Sequence, residues 1–314
     1  MTGDETHQEK PRTQSRANTL WRLRTQSLAL GRRTVVMGVV NITFDSFSDG
    51  GLFLSTEAAV AHALQLLAEG ADLIDLGAES TRPGSRAGST EVVVSAEEEQ
   101  ARRRPVTEGS RAARPDEVIS VDTYKTATAR AALQAGAEII NEVSGFMWEP
   151  ELARVCAEAQ CGVVLMHTRG RPEEWAAQEQ LPGDELAAVV REGLAASLKV
   201  AEDAGAARES IVLDPGYGFG KRFSENFGLL ARQHTLLALG RPLLAGVSRK
   251  SFLGRALAPL YGESDAPVNK RETASLAAMV TAILNGASIV RVHEVPAAVE
   301  AARIADAALE GAER

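Results

Sequence analysis

Cysteine, positive charge and long hydrophobic runs are all in short supply in this 314-residue chain, and each shortage removes a class of protein. Its only cysteines are Cys156 and Cys161, too few for a disulfide framework, and no Cys/His cluster has zinc-site spacing. A reducing, cytoplasmic setting is the simplest expectation. Lys and Arg number 34 against 42 Asp and Glu, a formal net charge of −8. That excludes a chain-wide basic footprint for nucleic acid, so any anion site must be local. No hydrophobic stretch is long enough to span a membrane, and the first segment, MTGDETHQEKPRTQSRAN, lacks the apolar run of a signal peptide. Its Arg and Thr suggest a transit peptide, but Asp4, Glu5 and Glu9 oppose that. A disordered tail over 1–18 and a single domain over 19–314 are expected.

A hydrophobic content of 45% over this length suits one large α/β domain with a sizeable core. LWRLRTQSLALGRRTVV alternates apolar and polar residues with a Gly-Arg turn, as a short hairpin would. A rhythm then sets in. The β-rich runs TVVMGVVN, ADLIDLG, VISVD, EIINEVSG, GVVLMH, SIVLDPG, PLLAGVS and SIVRVH are separated by segments able to hold a helix. Several helical segments end in EGAD, AGAE, AGAA or NGAS, where Gly suits the cap before the next strand. Continuous apolar strands alternating with helices predict a parallel sheet covered on both sides. Eight strand-helix units in roughly 250 residues point to a (β/α)8 TIM barrel. One unit reads poorly: Glu97 to Val118 is charged, carries Pro105 and Pro115 and lacks an apolar stripe. A short or frayed helix on a variable outer face is expected there.

Such barrels place their chemistry at the C-terminal ends of the strands. Here those ends carry Asn41, Glu79 to Arg82, Asp122, Asn141, His167, Asp214, Ser248 to Ser251, Arg291 and His293. A lone Asp after a strand is usually a helix cap, but this many polar ends must converge on one mouth. Asp214 and Asn141 offer acceptors to an NH/NH₂ edge such as that of a guanidine-like heterocycle, and Lys250 offers a donor to a ring oxygen or nitrogen. Arg82, Arg291 and His293 can donate to phosphate oxygens, with Lys250 and Arg291 placed after strands seven and eight, where these barrels often hold phosphate. PGYGFGK, Pro215 to Lys221, fails as a P-loop: Pro replaces its first glycine and no Ser or Thr follows the lysine. Cys156 and Cys161 lie at no strand's C-terminal end, His62 and His234 sit in helical segments, and all four read as structural.

The ordered set NITFDSFSDGG, GAESTRPGS, VDTYK, INEVSG, LMH, LDPGYGFGK, GVSRKSFLG and RVHEV resembles dihydropteroate synthase, from about Met37 to Ala308. Any one motif is weak; the set is specific. The resemblance implies condensation of 6-hydroxymethyl-7,8-dihydropterin diphosphate with 4-aminobenzoate, with Mg²⁺ assisting, by a homodimer. It implies a pterin held by Asp122, Asn141, Asp214 and Lys250, with Met166, Phe219 and Gly246 lining the substrate. Thr81, Arg82, Arg291 and His293 would face the diphosphate, Ser251 the aminobenzoate carboxylate, and Asn41 the metal. Asp122, Lys250, Arg291 and Arg82 would then carry the catalytic work. TFDSFSDGG becomes the mobile loop that closes over the reacting groups. Phe44 departs from the family, which usually has proline there, and should leave the open loop less constrained.

Alternatives differ in what they require. A pterin-binding methyltransferase barrel would share the Asp/Asn site but has no evident need for STRPGS or SRKSFLG. A Schiff-base aldolase would need its lysine on a strand inside the barrel, whereas Lys250 follows Arg249 in a loop. A non-catalytic pterin-binding module would bind without turnover.

Overall fold

The computed structural model describes residues 16–42, 56–77 and 95–313. The expected hairpin is formed by β1 (Thr19–Arg22) and β2 (Ser27–Leu30), antiparallel, with Thr19 opposite Leu30 and Arg22 opposite Ser27. Its turn falls at 23–26, where the Leu23 amide donates to the Gln26 carbonyl at 2.8 Å. The Gly-Arg pair read as that turn lies beyond it: Gly31, at φ +104°, redirects the chain toward the next strand.

Each of the eight apolar runs is a strand: β3 (Val35–Asn41), β4 (Leu73–Gly77), β5 (Ile119–Asp122), β6 (Ile139–Glu142), β7 (Gly162–Met166), β8 (Ile211–Asp214), β9 (Leu243–Ala245) and β10 (Ala287–Val292). They close into a barrel in the order β10-β3-β4-β5-β6-β7-β8-β9, all parallel. This is the expected (β/α)8 barrel. The glycines read as helix stops do take positive φ: Gly70, Gly136, Gly205 and Gly286 lie between +92° and +107°, a region that costs any residue with a Cβ.

Period-two alternation divides each strand between two cores. Val36, Ile74, Ile119, Ile140, Val163, Ile211, Leu243 and Val290 belong to one cluster with helical residues such as Ala59, Leu66 and Leu194. Their neighbours Val35, Leu73, Val118, Ile139, Val164, Val212, Leu244 and Ile289 belong to another with Trp21, Leu23 and Leu30 of the hairpin. The second cluster fills the barrel interior at its N-terminal end, and the hairpin closes that end. Trp21 is fully buried, and its indole N–H donates to the Ser210 carbonyl at 2.8 Å. Arg16, within the stretch assigned to the tail, already belongs to this closure, bonded to Thr34 at 2.8 Å and ion-paired to Asp306 at 2.6 Å.

The first outer helix is α1 (Thr56–Ala68), and the segment expected to fray is instead an 18-residue helix, α2 (Ala96–Ala113). Ser95 and Glu98 form a capping box at its start, which satisfies amides that would otherwise be orphaned. Its missing apolar stripe is replaced by paired polar groups. Glu99 and Arg103 are buried, and Glu99 accepts from Lys125 Nζ at 2.7 Å and Thr123 Oγ1 at 3.3 Å. A hydrophobicity pattern cannot register a face buried through ion pairs. The helices α3 (Thr126–Gln134), α4 (Glu151–Ala159) and α5 (Gly183–Asp203) follow in chain order, and after them come the two that matter below, α6 (Phe223–Arg232) and the short α7 (Ser251–Ala256).

Candidate active site

The face of each strand that fills the interior below turns polar above. Counting by twos, Val35 and Met37 lead to Asn41; Leu73 to Asp75 and Gly77; Val118 to Ser120 and Asp122; Ile139 to Asn141. On the far side Val164 leads to Met166, Val212 to Asp214, Leu244 to Gly246, and Ile289 to Arg291 and His293. Register then aligns them: Asn41 pairs with Gly77, Gly77 with Asp122, and Asp122 with Asn141, while Met166 pairs with Asp214. Parity, not proximity in sequence, makes these side chains face one mouth.

Arg291 is the centre of its charge. The guanidinium Nε donates to Asp75 Oδ2 at 2.7 Å and Nη2 to Asp122 Oδ2 at 3.3 Å. Burial opposes its charge, but Asp75 and Asp122 outweigh that and raise its pKa. Asp75 also accepts from Ser120 Oγ at 2.6 Å and Asn141 Nδ2 at 3.0 Å. It was missed in the sequence reading, although a carboxylate inside the apolar run LIDLG, on the same parity as Gly77, was a usable signal. Burial, and then repulsion from Asp75, push Asp122 up to about 6, against the pull of Arg291.

Across the mouth, Asp214 Oδ1 accepts from the Gly216 amide at 2.7 Å. Burial raises its pKa while that bond, Lys250 and Lys221 oppose the rise. Gly246 keeps space here: a Cβ would sit 3.8 Å from Asp214 Oδ2 and 4.0 Å from Arg291 Cβ. Lys250 Nζ lies 4.1 Å from the centre of the Phe219 ring, itself held edge-on by Trp175 at 5.4 Å. Met166 packs in the same cluster with Val143. Lys221, which unlike Lys250 is buried, donates to the carbonyls of His167 at 3.0 Å, Gly216 at 2.8 Å and Phe219 at 3.1 Å, using all three ammonium protons to shape the loop after β8. His293 Nδ1 lies 3.0 Å from Ser248 Oγ. With the hydroxyl donating, Nε2 keeps the proton and is a donor.

Of the expected residues, Asn41, Asp122, Asn141, Met166, Asp214, Phe219, Gly246, Lys250, Arg291 and His293 are thus at or beside the mouth; Ser251 is exposed at the first position of α7. Thr81, Arg82, Glu79 and the loop residues from Thr43, Phe44 included, lie outside the described residues. Among the described residues, no group of three or more His, Cys, Asp or Glu could hold a metal. Asn41 Oδ1 and Asp122 Oδ2 do flank Gly77, at 3.7 and 4.0 Å from where its Cβ would be. Two hard oxygens suit Mg²⁺, which keeps most of its shell as water and substrate phosphate.

Chemically, the mouth offers acceptors at Asp122, Asp214 and Asn141 Oδ1, and donors at Arg291, Lys250 and His293. Comparison with known proteins identifies the family. Residues 37–293 match the family model described as pterin binding enzyme. The chain is 41% identical over 278 residues to the dihydropteroate synthase of Synechocystis, covering 88% of this chain and 91% of that protein. The crystal structure of Yersinia pestis dihydropteroate synthase with a sulfonamide drug complex superposes with a TM-score of 0.83 at 37% identity, covering 93% of this chain and 100% of that one. The Xanthomonas albilineans enzyme with 4-aminobenzoic acid gives 0.79 at 40% identity, covering 93% and 99%.

Proposed function

The chain belongs to the pterin-binding enzyme family, with the dihydropteroate synthases as relatives, and we propose that it condenses 6-hydroxymethyl-7,8-dihydropterin diphosphate with 4-aminobenzoate to give 7,8-dihydropteroate and diphosphate. It is a transferase of folate biosynthesis. The observation that carries this reading is the ring of three acceptors, Asp122, Asn141 and Asp214, set against the Arg291 guanidinium at one barrel mouth. A flat heterocycle with an NH/NH₂ edge meets the acceptors, and its anionic substituent meets the arginine.

The reaction breaks the bond between the pterin CH₂ and a diphosphate oxygen. It forms a bond from that carbon to the arylamine nitrogen, which gives up a proton. Positive charge develops on the CH₂ and spreads into the electron-rich ring, where Asp122 and Asp214 stabilise it; negative charge develops on the leaving oxygen, where Arg291 and His293 stabilise it. No strong general base is needed. The Lys250 ammonium, fixed over Phe219, donates to the pterin, and Phe219 and Ser251 flank the aminobenzoate, the acceptor that sulfonamides imitate. Thr81 and Arg82 keep their proposed diphosphate role on the STRPGS motif alone.

Asn41 and Asp122 would hold Mg²⁺ by their side-chain oxygens; when bound, it would neutralise charge on the departing diphosphate. A homodimer belongs to the same proposal, supported by the exposed Phe223 and Phe227 of α6 and by Leu260 and Tyr261 beyond α7. A reducing, cytoplasmic setting is supported by Cys156 and Cys161, both buried and free; among the described residues no helix is long and apolar enough to cross a membrane.

The test is a coupled assay for diphosphate release with both substrates present. Release that depends on 4-aminobenzoate is expected. Pterin binding with no release at any enzyme concentration would instead support the non-catalytic module, and methyl transfer the methyltransferase barrel.

A further inference from the structure

We infer that Asp75 is a positioning residue of this site: its buried carboxylate sets the orientation of both the Asn141 amide and the Arg291 guanidinium that face the substrate. The inference rests on the reaction proposed above and adds to it a residue that does not itself reach the mouth.

Asp75 is fully buried and lies below Gly77 on the interior face of β4. A carboxylate there is costly to bury unless paired, and it is paired three ways: with Ser120 Oγ at 2.6 Å, Arg291 Nε at 2.7 Å and Asn141 Nδ2 at 3.0 Å. The bond to Asn141 has a consequence at the mouth. A side-chain amide can present either its oxygen or its NH₂ to a ligand. Because an ionised carboxylate only accepts, Asp75 takes the NH₂ of Asn141 and leaves Oδ1 for the substrate. Reversing the amide would set two oxygens against each other beside Asp75 and turn a donor toward the N–H edge of the heterocycle.

Arg291 is constrained in the same way. Asp75 holds Nε and Asp122 holds Nη2, and among the described residues nothing takes Nη1, so the guanidinium is fixed along one edge with its remaining N–H groups left for an anion. Asp122 sits at the rim and is needed by the substrate as well. Asp75 is out of its reach and can hold Arg291 throughout. One carboxylate thereby couples the half of the site that reads the ring to the half that meets the diphosphate.

Asp75→Ala removes Oδ2, the one atom that accepts from both Asn141 Nδ2 and Arg291 Nε, so both bonds are lost together. We expect the KM for pterin diphosphate to rise about tenfold or more and the affinity for the diphosphate-free product to fall about tenfold, with the KM for 4-aminobenzoate changed less than about twofold. A role limited to folding would not split the two KM values. Pairing the substitution with Arg291→Ala, and separately with Asn141→Ala, should give combined losses well short of the product of the single ones. Asn141→Asp supplies an independent measurement should the first variant fold poorly: it keeps an oxygen toward the substrate but sets a second oxygen against Asp75, and should weaken pterin binding about tenfold. Wild-type pterin affinity in Asn141→Asp, or losses that multiply fully in both pairings, would overturn the inference. Turnover by the unaltered enzyme is measured separately. Its absence removes the proposed reaction, while calorimetry with pterin still decides the role of Asp75.

Discussion

The two ends of the barrel interior are built from the same strand faces and have opposite characters. At the N-terminal end Met37, Leu73, Ile139, Val164, Val212, Leu244 and Ile289 pack against Trp21 of the hairpin, and polar groups there serve to close the barrel. At the C-terminal end, further along the same faces, stand Asn41, Asp75, Asp122, Asn141, Asp214 and Arg291. The lower end gains stability from burying apolar surface. The upper end keeps carboxylates where burial raises the pKa of Asp122 and Asp214, so it holds charge at a cost to stability and in a form useful to a ligand. Damage to the two ends should therefore show up in different measurements.

The largest effect is expected below. Trp21→Ala removes a fully buried indole and its bond to Ser210, and should cost about 3–5 kcal/mol of stability, read by chemical denaturation. The folded fraction should keep both KM values. A large change in either KM would break the comparison, because it would mean the plug shapes the mouth.

Glu142 sharpens it at the upper rim. Its carboxylate accepts from Ser144 Oγ at 2.6 Å and from the Ser144 and Phe146 amides at 3.0 and 2.5 Å, tying down a turn in which Gly145 and Phe146 have φ +64° and +66°. Burial nevertheless raises its pKa to about 7, against those bonds. Its folded form thus holds a proton that the unfolded chain has already released between the ordinary carboxylate range and about pH 7. Stability from this group is present at low pH and is lost as pH rises through that window. Compared with Glu142→Gln, the wild type should lose on the order of 3 kcal/mol between about pH 4.5 and pH 7.5, measured as the difference between two denaturation series. A difference that stays flat with pH would show that the three hydrogen bonds offset burial completely.

Asp214→Asn is the counterpart to the tryptophan variant. The amide oxygen can still accept from Gly216, so the melting temperature should hold. Its NH₂ then opposes the pterin edge, and kcat/KM should fall by about a hundredfold or more, roughly 2.7 kcal/mol. Calorimetry showing wild-type pterin affinity would remove Asp214 from the site.

The smallest change belongs to neither end. Ser95→Ala removes half of the capping box of α2 and should cost about 1 kcal/mol, with activity unchanged. Loss of activity there would mean that α2, through Glu99 and Lys125, supports the rim beside Asp122.

Local pattern was enough for the eight strands, the glycine stops between them and the polar residue ending each apolar run, because alternation and turn chemistry are properties of a few consecutive residues. The polar ends are therefore assigned to one mouth by the sequence pattern, and Asp122, Asn141, Asp214 and Arg291 stand there. Partnerships were not available in that way. Asp75 meets Arg291 across 216 residues of chain, a contact that exists only because β10 closes against β3. For the same reason α2 looked too polar to be a good helix until Lys125 and Thr123 stood opposite Glu99. What a side chain can donate or accept is written in its residue type; which group answers it is decided by barrel closure, because a buried charge persists only where the fold brings it a partner.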